Sequence, residues 1–213
     1  VKEGTIMAQT KIDICNQALL KVGADTIASL DTNQNTNESS IRSAKLCNIL
    51  FDQALEETVR SYPWNSCKKR AIPVKLTNNP TFGYDNAFQL PNDCVRVVEI
   101  YDSSDGVRAM RQPYAVEGRT IVTDVDKIYL KYLAIPEDVG VLDSMAALVL
   151  IMRLAIKLAT PLQLELTMSQ ALVKELEQVV MPAARSIDTF ENSEYDTPES
   201  ELLLSMFNQS PII

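Results

Sequence analysis

Apolar residues recur along the first sixty positions at the three- and four-residue spacing of helices. Ile14, Ala18 and Val22, with Cys15 and Leu19, form one stripe that a helix lays along a single face. Thr10 stands where an N-cap belongs, Asp13 puts a carboxylate in the first turn, and Gly23 offers a stop. Residues 31–40, DTNQNTNESS, hold nothing to pack and read as a polar loop. A second helix is predicted from Ser39 or Ser40 to about Ser61. Ala44, Cys47, Phe51, Ala54, Leu55 and Val59 give its core face, with Arg42, Lys45, Asp52, Glu56 and Glu57 largely off it.

The period then changes. Tyr62 precedes Pro63, which disfavours the α region at Tyr62 and removes a backbone donor at Pro63, so the helix must stop. From Cys67 to Val74 the pattern is extended and partly exposed, with Lys68, Lys69 and Arg70 inside it. Trp64, the one tryptophan, sits on this boundary. Its ring is expected to fill the junction between a helical and a β layer, with Arg60, Pro63 and Asn65 as its companions. Further strand candidates are Ala87–Leu90, Val95–Tyr101, Tyr114–Val116, Thr120–Thr123 and Lys127–Leu133, separated by turn residues that include Pro91, Asn92, Asp93 and Gly118. They predict a small antiparallel sheet.

Helical spacing returns at Asp143, a capping residue, and runs to about Thr160, where Pro161 is expected to stop it. This third helix is apolar on nearly all sides apart from Arg153 and Lys157, so it should lie centrally in a bundle or face a neighbouring subunit. A fourth pattern spans about Leu166 to Ile187, with Pro182 placed to kink or interrupt it. The fold class expected is α+β: a bundle of about four helices from residues 11–62 and 141–187, with residues 63–135 inserted as a small antiparallel β domain. Residues 1–10 read as a flexible N-terminus. After Arg185 no positive charge follows, and Asp188, Glu191, Glu194, Asp196, Glu199 and Glu201 accumulate. Residues 188–213 are therefore expected to be an extended tail. Leu202, Leu203, Met206 and Phe207 form its candidate partner-docking face, with the tail folding back over its own bundle as the alternative.

Composition narrows the function. The 213 residues are 46% hydrophobic, enough for a full core, and carry a net charge of −8, which argues against wrapping nucleic acid. Cys15, Cys47, Cys67 and Cys94 are far apart, and with no histidine a zinc site is not expected; reduced, buried thiols are. The most apolar run, Met145–Met152, is well short of the ~18 residues of a membrane span. No signal-peptide pattern stands out, so a soluble chain is expected.

Candidate chemistry is sparse. A histidine triad is impossible and six glycines leave little room for a phosphate-cradling loop. Paired carboxylates remain. Glu56 and Glu57, adjacent on a helix, point about 100 degrees apart, a poor geometry for hydrolysing a glycosidic bond. Asp93 with Asp102 reads equally well as turn chemistry. Lys68, Lys69 and Arg70 read as the protected edge of a sheet more readily than as a nucleic-acid contact. Six tyrosines, among them Tyr84 and Tyr101, surround the β region. They suit a subunit interface better than a sugar platform. Tyr84, Tyr101, Arg153 and Lys157 are the candidate interface residues.

The order of these segments carries a resemblance. IDICNQALLKVGADTIASLD, SAKLCNILFDQALEETVRSYPWN, FQLPNDCVRVVEIY, YAVEGRTIVTD and LAIKLATPL, within residues 12–162, resemble the tail tubular protein A family of bacteriophage head-to-tail adaptors, a podovirus-type connector. RSYPWN followed by QLPNDCVRV is the specific part. The resemblance implies a structural, non-enzymatic virion protein without cofactors, assembled in the host cytoplasm and placed at the head–tail junction. Its implied partners are the portal protein, a nozzle of the tail tubular protein B type, and itself in a ring, a dodecamer on the portal. DNA would pass through without sequence-specific binding, and no membrane is involved. Pro182 and the terminal ELLLSMFNQSPII match no motif of that family. The opposing expectation is a carbohydrate-active hydrolase, degrading peptidoglycan or capsule with paired carboxylates.

Overall fold

The computed structural model describes residues 9–104 and 110–191. Helix α1 (Lys11–Lys21) starts at a capping box: Thr10 Oγ1 accepts from Asp13 N–H at 3.2 Å, and Thr10 N–H donates to the Asp13 carboxylate at 2.9 Å. It ends with Gly23 at φ +68, where Gly23 N–H bonds Leu20 C=O and Ala24 N–H bonds Leu19 C=O. Those two bonds satisfy carbonyls the helix leaves orphaned. The polar loop is more built than its composition suggests. Asn35 is buried and its side chain bonds the backbone of Ala28, Ser29 and Asp31.

Helix α2 (Glu38–Ser61) buries Ala44, Cys47, Phe51, Ala54, Leu55 and Val59, the face its spacing predicts. Helix α3 (Ser144–Ala159), capped by Asp143 through Met145 and Ala146 N–H, packs against both α1 and α2. The helix formed by α4 (Leu166–Glu175), a π turn (Leu176–Val180) and α5 (Met181–Phe190) covers α3 from another side. The apolar girdle of α3 is therefore consumed within the subunit, the central placement of the two its pattern allowed. Pro182 does not break its helix. The π turn just before it adds a residue to the turn, with Met181 N–H bonding Leu176 C=O, and so relieves the clash of the proline ring with the preceding carbonyls. α3 ends at Ala159 with Thr160 as its C-cap, where Pro161 was expected to stop it. Beyond it a turn follows, in which Leu162 N–H bonds Leu158 C=O and the chain reverses at Gln163, at φ +60.

Among the described residues the strands form two three-stranded antiparallel sheets, not one. The first has the order β1 (Lys68–Ala71), β6 (Tyr129–Ala134), β3 (Cys94–Tyr101); the second has β2 (Asn86–Gln89), β5 (Thr120–Thr123), β4 (Ala115–Glu117). Together with the helices they make an α+β fold in three layers. Leu133 of β6 belongs to the helical core, whereas Leu130, Tyr132 and Ala134 pack with Phe88 and Ile121 of the second sheet. The strands are thus not a free-standing insert, because the inner face of the first sheet completes the bundle.

Strand β3 serves both cores through irregular pairing. Its register against β6 slips between Cys94 and Arg96 and again between Val97 and Glu99. Each slip inserts an extra residue and resets the alternation of side chains. Cys94, Val97 and Ile100 consequently reach the β core while Val95 and Val98 reach the helical core.

Candidate functional site

The helix–sheet junction is built from the residues the sequence singles out. Tyr62 is extended, at φ −153 and ψ 149, as a residue before proline must be. The chain then makes a 3-10 turn, Asn65–Cys67, capped by Trp64. Trp64 is 0% exposed, and its indole N–H donates to Thr58 C=O at 2.8 Å, one of the terminal carbonyls α2 cannot satisfy itself. The Tyr62 ring meets the indole edge-on with centroids 4.9 Å apart. Asn65 ties the junction to the last helix. Its N–H and side-chain amide donate to the carboxylate and the carbonyl of Asp188 at 2.9 and 2.6 Å, and its Oδ1 accepts from Lys68 Nζ at 2.6 Å.

Asp188 is 4% exposed within α5, so the tail boundary expected there is corrected: the chain is still packed at Asp188 and helical through Phe190. Acidic composition conceals this, because the carboxyl is held by Asn65 and not by water. Burial pushes its pKa up, opposed by the Asn65 hydrogen bond.

Beside the junction lies a cleft of about 590 Å³. Arg60 at the end of α2, Arg96 on β3 and Arg119 in the β4–β5 turn line it, with Glu56, Asp93 and Tyr114. The arginines are held by main-chain carbonyls: Arg60 Nη1 donates to Val95 C=O at 3.0 Å, Arg96 Nη1 to Arg60 C=O at 3.3 Å, and Arg119 Nη1 to Cys94 C=O at 3.1 Å, with its Nη2 on Pro91 C=O. Val95 is a bulge residue, so its carbonyl falls outside the regular ladder and needs such a partner. Sequence reasoning marked Arg60 alone. Arg96 and Arg119 come from turns and strands with no shared motif, and only the topology brings them together.

Glu56 and Asp93, proposed as alternative catalytic carboxylates, both reach this cleft. Asp93 is engaged by Lys69 at 2.8 Å and by the Tyr132 hydroxyl at 3.1 Å, and the Lys69 hydrogen bond holds its carboxyl below the usual range. Asp102 lies elsewhere, accepting from Met110 N–H and the Gln112 amide as a turn carboxylate does. Glu57 pairs with Lys157 at 2.8 Å.

Lys157 is therefore already used inside the subunit. Arg153 is half-buried, and its buried Nε has no hydrogen-bond partner among the described residues; burial lowers its pKa. Tyr101 donates to Glu99 within its own strand, and Tyr84 is half-buried. The tyrosines do not make one platform: Tyr114 bonds Val98 C=O, Tyr132 bonds Asp93, and Tyr62 shares a hydrogen bond with Thr189. Lys68, Lys69 and Arg70 lie on β1, the outer strand of its sheet. Leu202, Leu203, Met206 and Phe207 lie outside the described residues.

All four cysteines are buried thiols; burial pushes Cys67 up to about 11. Among the described residues no three metal-ligating side chains gather, and no helix is long and apolar enough to cross a membrane. Comparison with protein-family models and with curated proteins finds no match.

Proposed function

We propose that this chain is a structural head-to-tail adaptor of a bacteriophage, one subunit of a ring beneath the portal that joins capsid to tail and forms part of the DNA conduit. The observation that carries the reading is the junction. The two most specific stretches of the resemblance, RSYPWN and QLPNDCVRV, are far apart in sequence yet bonded to each other: Arg60 donates to Val95 and Arg96 donates back to Arg60. A closed ring needs two different faces held at a fixed angle, and this reciprocal bond fixes the sheets on the bundle. Portal, a tail tubular protein B-type nozzle and further copies of this chain, twelve on the portal by the resemblance, are the partners. Tyr84, Tyr101 and Arg153 remain interface candidates. Acidic charge suits a channel that must not retain DNA.

One observation favours the second reading, a carbohydrate-active hydrolase: Glu56 and Asp93 share a cleft. Against it, a glycosidase needs one carboxyl kept protonated as general acid, and Asp93 is held as a carboxylate by Lys69. The readings part in two measurements. The adaptor reading requires the protein in purified virions at the head–tail vertex, which also excludes a free cytosolic scaffold. A polysaccharide-cleaving activity abolished by Glu56→Gln or Asp93→Asn, with virion assembly intact, overturns the purely structural reading.

A further inference from the structure

The arginine cleft holds more positive charge than the subunit's described residues neutralise. Arg60, Arg96 and Arg119 take part in none of the ion pairs among the described residues. Their bonds go to neutral carbonyls, which use one donor each of Arg60 and Arg96 and two of Arg119. A guanidinium has five N–H donors, so most remain for a ligand. Of the two carboxylates on the wall, Asp93 is already committed to Lys69, leaving Glu56 against three cations. Clustered cations of this kind, in a chain of net charge −8, favour a ligand bearing several carboxylates, which guanidinium planes bind with paired hydrogen bonds.

This chain carries such a ligand itself. Residues 192–213 contain Glu194, Asp196, Glu199 and Glu201 and no lysine or arginine. They follow Glu191, next to α5, where the Thr189 hydroxyl lies 2.8 Å from Tyr62 Oη. Tyr62 is two residues beyond Arg60. At ~3.3 Å per extended residue, positions 194–201 can reach about 10–35 Å from Glu191, so the cleft beside Arg60 is within the tether. We propose that the cleft is an acidic-peptide site and that its occupant in the free subunit is the Glu194–Glu201 stretch of the same chain. Tethering raises the local concentration of those carboxylates far above that of any other copy, which favours the chain's own segment over a neighbour's. Residues 202–213 are then left at the rim for another partner.

The test uses the full-length chain and a full-length variant carrying Glu194→Gln, Asp196→Asn, Glu199→Gln and Glu201→Gln. Both are treated with phenylglyoxal at low salt, and modification of each arginine is followed by mass spectrometry. Far-ultraviolet circular dichroism should show both chains folded alike. Arg60, Arg96 and Arg119 should react about threefold or more slowly in the unsubstituted chain, and Arg42, held by Pro161 C=O outside the cleft, equally in both. One molar salt should abolish the difference. Equal rates at the three cleft arginines overturn the proposal, and so does protection that disappears on dilution, which would make the occupant a second copy. Neither outcome bears on the adaptor reading, which rests on the junction.

Discussion

Replacing Trp64 tests whether the junction is one packed unit shared by helices and sheets. Its side chain is wholly buried in the core that also contains Val59, Cys67 and Leu133. Truncation to alanine therefore leaves a cavity bordered by both layers, which typically costs about 3–5 kcal/mol. Trp64→Phe keeps most of the packing and removes the indole N–H from Thr58 C=O, which retains the Ser61 hydroxyl at 2.8 Å. The hydrogen-bond part should then be about 0.5–1.5 kcal/mol. For a chain of this size 1 kcal/mol moves Tm by about 2–4 °C, so the alanine variant should melt roughly 6–20 °C lower. Urea unfolding followed by far-ultraviolet circular dichroism gives both numbers, with an unchanged m-value expected. In the unsubstituted protein the single tryptophan reports the same transition by fluorescence. A loss below about 1 kcal/mol for Trp64→Ala, or a variant whose sheets melt apart from its helices, would refute a shared core at the junction.

Three further outcomes follow from single groups. The raised pKa of Asp188 means that the fold favours its protonated form. Its contribution is thus fully present below the ordinary value of 3.8 and is lost as pH rises through the raised one. Asp188→Asn, which keeps an acceptor for Asn65 N–H, should gain on the unsubstituted protein in urea unfolding as pH rises through that window; the opposite trend would show that Asn65 and Lys68 stabilise the anion. Glu99→Ala removes a counter-ion of Lys131, which is 5% exposed. The cost should be about 1–3 kcal/mol, below the 3–5 typical of a broken buried pair, since Glu99 is 18% exposed and lies 3.7 Å from the ammonium, which keeps a further interaction; a neutral result in thermal unfolding would contradict it. Gln163→Gly relieves a left-handed backbone and should stabilise by on the order of 0.5–1 kcal/mol, whereas a loss in Tm would mean that the Gln163 side chain contributes contacts of its own.

What the sequence discloses here is local. Caps at Thr10 and Asp143, the stop before Pro63 and the core face of α2 rest on residues within a few positions of one another, and each appears as expected. Pairing is non-local, so alternation located the strands without revealing that they divide into two sheets. The slips of β3 hide in CVRVVEIY because valines satisfy either face. Lys131 and Asp188 mislead for a common reason: a charged residue reads as exposed until the partners that hold it, Glu99 and Asn65, are placed. The cleft arginines are scattered over sixty positions and become a site only through the turn at Gly118, whose φ of +61 places Arg119 beside β3.

The adaptor reading meets its most direct test in solution mass. The protein should be measured alone and after mixing with the purified portal protein of its own virus. The account predicts a stable complex in which a closed set of about twelve subunits sits on the portal ring, with no larger, open-ended species. A protein that stays unbound in the presence of intact portal, or that adds in variable number without closing, would contradict it.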